Sequence, residues 1–264
     1  MLKEMGKVPD WNTELYLLNE GERNKPIFDL LSHVPVREPG RVLDIGCGPG
    51  NSTGMLKRAF PEAELIGIDN SPNMIAKAKE TNADVTWLRR DANEDISDLG
   101  SFDIVFSNSV LHWMPDHQAL LPRLFRSMGS NGAIAIQIPY FLGAMYEPIS
   151  ALAGSAKWDG LIPDKEPATF HDVGFYYDIL AAHFSAFDVW TVKHTHVLGS
   201  KGDIMDFYRP TGFKGYFDQL GTDELRDAFL ADIVPIIDSA YKPQSDGKYL
   251  LRVERLFFVA QRTD

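Results

Sequence analysis

The stretch Arg41-Val-Leu-Asp-Ile-Gly-Cys-Gly-Pro-Gly-Asn-Ser-Thr53 constrains this chain more than any other. A short apolar strand ends in an acid, three alternate glycines follow, and the residues after them read as a helix start. Glycine takes up left-handed backbone readily and has no Cβ, so positions 46, 48 and 50 allow a tight turn and the close approach of a ligand. A strand, a glycine loop and a helix in that order are the opening unit of a wound α/β sheet, whose ligands sit at the carboxyl ends of the strands.

Two ligand chemistries compete for such a loop. A dinucleotide fingerprint would be Gly-x-Gly-x-x-Gly with the pyrophosphate at the helix N-terminus, but its third glycine position here holds Asn51. The spacing is Asp44-x-Gly46-x-Gly48-x-Gly50, and the Asp44 carboxylate would repel a pyrophosphate while accepting from a cation or an amine. S-adenosylmethionine (SAM) carries a sulfonium and an α-ammonium and no phosphate. Asp69 follows the next apolar strand, where it can accept both ribose hydroxyls, and Asp91 follows the one after, where an adenine amino group can donate. Acids after three successive strands select SAM.

From Arg41 to Ile138 short apolar runs alternate with helical stretches. Val42 to Ile45, Leu65 to Ile68, Val85 to Leu88, Ile104 to Phe106 and Ala133 to Ile138 read as buried strands, and Ser52 to Phe60 and Pro72 to Thr81 as helices. The alternation implies a parallel sheet with right-handed crossovers. Ser71-Pro72 reads as a capped helix start. Upstream, Pro26 suits a helix's first turn, with Ile27, Leu30, Leu31 and Val34 at helical spacing, and Trp11 and Tyr16 are candidates for a lid. After the fourth strand Asn108 and Ser109 can meet the methionine end of SAM, and His112 and Trp113 can face the methyl group. Residues 139–167, rich in Gly, Pro and aromatics, break the pattern. Thr169 to Ala182 reads as a helix, Ala186 to Val192 as a sixth strand, Asp203 to Arg209 and Asp223 to Tyr241 as helices, and Tyr249 to Gln261 as the last strand. The expected organisation is one domain: an N-terminal lid and helix (1–35), a SAM-binding core (36–138), cap insertions for substrate (139–185 and 199–246) and the closing strand (247–264).

Composition narrows the partners. A formal net charge of -11 without clustered Lys and Arg argues against nucleic acid. A single cysteine, Cys47, precludes an internal disulfide and fits a reducing compartment; between loop glycines it reads as a small buried filler. No apolar run approaches the roughly 20 residues of a membrane helix, and nothing resembles a signal peptide, so a soluble cytoplasmic protein is expected. No spacing of His, Cys, Asp and Glu suggests a metal, and His194 and His196 alternate on a strand end.

With these residues in view the chain resembles the class I SAM-dependent methyltransferases and, more narrowly, the trans-aconitate methyltransferase family. The matching text includes Asp10-Trp-Asn, Leu15-Tyr16-Leu17, Glu22-Arg23, Asp44 to Thr53, Gly67-Ile-Asp-Asn-Ser-Pro-Asn-Met-Ile75, Trp113-Met-Pro-Asp-His117, Tyr176 to Leu180, Asp188-Val-Trp190, Thr211-Gly212 and Arg255-Leu-Phe-Phe-Val-Ala260. It departs at Gln137-Ile-Pro-Tyr-Phe-Leu-Gly, where that family has a polar turn, and at Phe213-Lys214. The resemblance implies a Rossmann-like, mostly parallel seven-stranded sheet flanked by helices, with helical cap insertions. It further implies methyl transfer from SAM to one carboxylate of trans-aconitate, giving a monomethyl ester and S-adenosylhomocysteine. The expected cofactor residues are Asp44, Gly46, Cys47, Gly48, Asn51, Asp69, Asn70, Met74, Asp91, Ala92, Asn108 and Trp113; the expected substrate residues are Tyr16, His112, Gln137, Tyr177, Arg209 and Lys214.

A carboxylate nucleophile, with a reference pKa of roughly 4, is ionised at neutral pH, so no catalytic general base is expected. Positioning the reacting atoms and excluding water are the protein's tasks, since attack of a carboxylate on a sulfonium neutralises charge that water would stabilise. Other readings are a SAM-dependent methyltransferase for another small acid or an acyl thioester, and a non-catalytic SAM-binding regulator. An NAD-linked oxidoreductase is disfavoured by Asn51 and by the lack of a Tyr-x-x-x-Lys pair.

Overall fold

Short apolar runs and the helical stretches between them condense into a seven-stranded sheet in a computed structural model that describes Trp11 and residues 20–141 and 145–263. The first described helix, α1 (Glu20–Ser32), precedes β1 (Arg41–Ile45), α2 (Asn51–Ala59), β2 (Glu64–Asp69), α3 (Pro72–Thr81), β3 (Thr86–Arg89), β4 (Phe102–Asn108), α4 (His117–Phe125) and β5 (Met128–Phe141). Next come α5 (Tyr146–Ala153), α6 (Val173–Ala181), β6 (Ala186–Leu198), α7 (Lys201–Tyr208), α8 (Lys214–Phe217), α9 (Asp223–Ala240) and β7 (Tyr249–Gln261). The strand order is β3-β2-β1-β4-β5-β7-β6.

β1 pairs in parallel with β2 and β4, β2 with β3, and β4 with β5. The last strand reverses this direction. Arg262, just past β7, donates its backbone N–H to Gly132 and its guanidinium to Met128 O, at the beginning of β5. Ser185 and Thr263 are hydrogen-bonded, which sets the end of β7 beside the beginning of β6. β7 is therefore antiparallel to both neighbours. The crossover point of the order lies between β1 and β4, where the carboxyl ends open a crevice.

Alternate side chains of the central strands feed two cores, as sheets covered on both faces require. Leu43, Ile45, Val105, Ile134, Ile136 and Phe258 pack on one face; Val42, Ile104, Phe106, Ala135 and Phe257 pack on the other with Ile27 and Leu30 of α1. The described residues divide into two compact units. One comprises 20–140, 169–194 and 254–263; the other comprises Trp11, Phe141, 145–168 and 195–253. The second unit has its own core of Trp158, Phe207, Phe213, Phe229, Ile233 and Ile237. Trp158 is 1% exposed there, edge-on to Phe229, with its indole N–H donated to Asp232 at 2.8 Å.

Several boundaries differ from expectation. Pro26 lies inside α1 rather than in its first turn, because the helix begins at Glu20; its ring is buried, and packing offsets the lost backbone bond. β5 begins at Met128 rather than Ala133, through an irregularity in its pairing with β4 between Phe102 and Ile104, beside Asn131 at φ 60. β6 continues to Leu198, so His194 and His196 lie within a strand. α6 starts only at Val173, because the Asp172 side chain accepts from Phe175 N–H and caps it there. Ser71 caps α3 through Met74 N–H with Pro72 in the first turn. Tyr16 lies outside the described residues. Among the described residues no helix is long and apolar enough to cross a membrane.

Candidate functional site

The glycine loop takes the shape its residues permit. Gly46, Gly48 and Gly50 have φ of 68, 55 and 100, and Gly46 and Cys47 both donate their N–H to Ile68 O, which ties the loop to the end of β2. The three glycines answer different needs. A Cβ on Gly46 would stand 2.2 Å from Val110, and one on Gly50 2.9 Å from Thr81. Among the described residues a Cβ on Gly48 would meet nothing within 4 Å.

Asp44 lies beneath the loop, 1% exposed. Its Oδ2 accepts from Ser52 Oγ at 2.6 Å and Thr53 Oγ1 at 2.5 Å, so the acid holds the start of α2 onto β1. That helix has no side-chain cap of its own; its N-cap is left-handed Gly50. Asp44 Oδ1 is buried without a partner among the described residues. Burial pushes the Asp44 pKa up to about 7; the two hydroxyls oppose the shift and the nearby Asp69 charge adds to it. Cys47 is a buried free thiol whose pKa burial holds well above the usual value.

The other predicted cofactor residues follow the strand ends. Asp69 ends β2, and its carboxylate accepts from Gly48 N–H at 3.0 Å and Ser71 N–H at 2.9 Å. Asp91 follows β3, accepting from the backbone and side chain of Asn93. Asn51 is the first, half-buried residue of α2. Asn70 is exposed, Met74 is buried in α3, and Ala92 is buried with its carbonyl accepting from Arg123.

A second polar group lies beyond β4. Asn108 ends that strand in register with Gln137 of β5. Asn108 Oδ1 and Gln137 Nε2 are both buried without a hydrogen-bond partner among the described residues. Ser109, at φ 61, donates from Oγ to Gln137 Oε1 at 2.7 Å. His112 lies in the single turn Leu111–Trp113, buried, with its ring against Trp113 and Phe170 and its Nδ1 without a partner among the described residues. Its pKa is pushed down to about 3, first by burial and then by the charges of His117 and Arg255. Its imidazole is therefore neutral at neutral pH. His117 fastens this turn, with Nε2 on Leu111 O at 2.8 Å and Nδ1 on Tyr176 Oη at 2.7 Å.

Of the expected substrate residues, Gln137 is thus in register with Asn108 at the end of β4, and His112 lies in the turn that follows that strand. Tyr177 is 52% exposed, its ring against Phe187, whereas its neighbour Tyr176 is buried. Arg209 is an exposed residue closing α7, and Lys214 is ion-paired with Asp218 and lies over the Trp11 ring at 5.0 Å; both belong to the second unit. Two contacts carry no signal in the linear sequence, those of Ser52 and Thr53 with Asp44; Ser109 is expected beside the methyl donor, but its left-handed backbone and its bond to Gln137 are tertiary properties. Arg255, within β7, is 5% exposed.

Chemically, Asp44 Oδ1 and Asn108 Oδ1 are acceptors without a partner among the described residues, which suits an amine or a cation rather than a phosphate. Gln137 Nε2 is a donor, and His112 Nδ1 is a further unpartnered polar atom. The family model described as a methyltransferase domain matches residues 42–132. The chain is 37% identical to the trans-aconitate 2-methyltransferase of Methylobacterium radiotolerans over 97% of its own length and 99% of that protein. It is also 37% identical to the enzyme of the same name from Variovorax paradoxus, covering 96% and 98%. In fold it resembles the YcgJ protein of Bacillus subtilis, with TM-score 0.59 and 14% identity over 90% of this chain and 98% of that one. It also resembles Haemonchus contortus phosphoethanolamine N-methyltransferase 2, solved with S-adenosyl-L-methionine, with TM-score 0.53 and 19% identity over 90% and 52%.

Proposed function

This chain belongs to the trans-aconitate 2-methyltransferase family, and we propose that it transfers the methyl group of S-adenosylmethionine to a carboxylate of trans-aconitate, releasing the monomethyl ester. The observation that carries this reading is the set of buried polar atoms of Asp44, Asn108, His112 and Gln137, in β1, β4 and β5 and the turn after β4, that have no partner among the described residues. Buried polar atoms without partners are uncommon and costly. Here the set is one that an amino acid-bearing donor and a polar acid would satisfy.

SAM, when bound, supplies an electrophilic methyl group on a sulfonium. Asp44 and Asn108 are the residues we assign to its amine end. Gly48 leaves room for its backbone-hugging approach, and Asp69 and Asp91 follow the next strands outward in the order expected for ribose and adenine. Once a cation lies beside it, Asp44 ionises at a lower pH, because an opposite charge offsets the burial that raised its pKa. His112 is neutral and takes no proton from a carboxyl group that is already ionised. Its role is to line the reacting centre with Trp113 and keep water out. Orienting the reactants in this way contributes roughly 7 to 11 kcal/mol in well-ordered reactions.

The partner is a small carboxylic acid, and the acidic net charge and single cysteine support a cytoplasmic protein that does not bind nucleic acid. The test is transfer of label from methyl-labelled SAM to trans-aconitate, cis-aconitate, citrate, isocitrate or a malonyl thioester, counted as base-labile ester. Labelling of trans-aconitate above the others is expected; labelling of the thioester alone would refute the substrate.

A further inference from the structure

Gln137 is fully buried near the carboxyl end of β5 and is held from one side. Ser109 donates its hydroxyl to Gln137 Oε1 at 2.7 Å and its N–H to the Gln137 carbonyl at 3.0 Å. To make both bonds Ser109 adopts φ 61, a conformation that disfavours any residue with a Cβ. With Oε1 engaged, the amide orientation is set, and Nε2 is left as a buried donor without a partner among the described residues. A donor held so firmly and left unmet is placed for an acceptor that arrives from outside.

The strand alternation adds a cation. Along β5, Ala135 belongs to one core and Ile134, Ile136 and Ile138 to the other, so Gln137 lies on the face of Ala135. Along β7, Phe257 and Val259 share that face while Leu256 and Phe258 take the opposite one, so Arg255 lies on the face of Gln137. β7 neighbours β5 and runs against it, with Arg262 beside Gly132 at the start of β5. Arg255, earlier in β7, therefore lies toward the carboxyl end of β5, as Gln137 does. It is buried, and its charge is among those that keep His112 of the same site neutral.

We propose that Gln137 Nε2 and the Arg255 guanidinium together seat a carboxylate of the acid substrate, with Ser109 as the residue that positions Gln137. This inference rests on the reading of the site as a carboxylate methyltransferase. A guanidinium presents two parallel N–H bonds to a carboxylate, and an amide N–H adds a third to a remaining lone pair. The site is thereby divided by sign: acceptors on β1 and β4 for the amine of the methyl donor, donors on β5 and β7 for the acid. Gln137 occupies the place where this chain departs from the family's polar turn, which makes it a determinant of which acid is accepted. SAM itself also carries a carboxylate, and the experiment separates the two sources.

The experiment measures the KM for trans-aconitate and the calorimetric Kd for SAM in the full chain and in Gln137→Met, Gln137→Glu, Arg255→Lys, Arg255→Met and Ser109→Ala. The Met variant at 137 should raise the acid KM about tenfold to a hundredfold, the loss expected when a buried bond to a charged group is removed. The Glu variant, which sets like charges together, should raise it further, and Arg255→Lys should retain more affinity than Arg255→Met. Ser109→Ala should raise the acid KM with kcat largely kept. SAM affinity should stay within about threefold throughout, which also shows that each variant folds. An acid KM that is unmoved while trans-aconitate is turned over would overturn the inference alone, as would an equal loss of SAM affinity. Turnover of another polycarboxylate with the same variant sensitivity would support the seat and refute the substrate proposed above; turnover of no acid would refute both.

Discussion

Asp44→Asn gives the sharpest test of how the loop is built, because it keeps the shape of the side chain, removes its ability to ionise and exchanges one carboxyl oxygen for an NH2 group, an exchange whose effect does not vary with pH. In the fold Asp44 is 1% exposed and its pKa is raised from 3.8 to about 7, with burial as the main cause. The unfolded chain releases this proton near its ordinary value, so between the two pKa values the folded state binds more protons than the unfolded one. Stability then falls as pH rises across that window. A shift of about three units corresponds to about 4 kcal/mol once the pH exceeds both values. The wild-type profile alone would hide this, because His112 acts oppositely. Its pKa is depressed to about 3, so the unfolded state takes up the proton first as pH falls, and stability is lost from the ordinary histidine value downward. The two slopes overlap and largely cancel, and the difference between wild type and Asp44→Asn isolates the carboxyl group. Urea unfolding of both proteins without SAM should show Asn gaining relative to Asp by about 2 kcal/mol more at about pH 8.5 than at about pH 5.5. A difference that does not change with pH would refute the argument that Asp44 carries a burial penalty. In the same samples the Asn variant should bind SAM at least about tenfold more weakly, the loss of one charge-assisted bond.

Gly48→Ala should cost about 1 to 2 kcal/mol in urea unfolding, the price of a left-handed residue with a Cβ, and should weaken SAM binding by far more than that strain explains, whereas Gly46→Ala, with Val110 in the way, should fail to accumulate as folded protein. His112 should show no protonation in an NMR titration between about pH 5 and about pH 8, since its pKa lies near 3; a midpoint near the free-imidazole value of about 6.5 would contradict its burial. Trp158→Ala should lower stability by about 3 to 5 kcal/mol, because it empties the centre of the second unit's core and leaves Asp232 without its indole partner, and chemical unfolding measures it directly.

Much of this protein is determined by the sequence alone. The apolar runs at Val42 to Ile45 and Leu65 to Ile68 are too short and too continuous for surface helices, the glycines between them require left-handed backbone, and Ser71-Pro72 caps its helix through atoms within three residues. Such features depend on local chemistry, and local chemistry is written in adjacent letters. The positions of the acids at 44, 69 and 91 were legible for the same reason, since each lies close to the end of a strand that is itself legible. Tertiary structure decided the partners. Nothing adjacent to Asp44 announces that its Oδ2 would be occupied by Ser52 and Thr53 while Oδ1 has no partner among the described residues, and nothing near Gln137 announces its bond to Ser109, since that encounter depends on the pairing of β4 with β5. The pKa values of Asp44 and His112 have the same origin: a residue's type sets its ordinary value, but only the packed neighbours that exclude water decide which form the fold will hold.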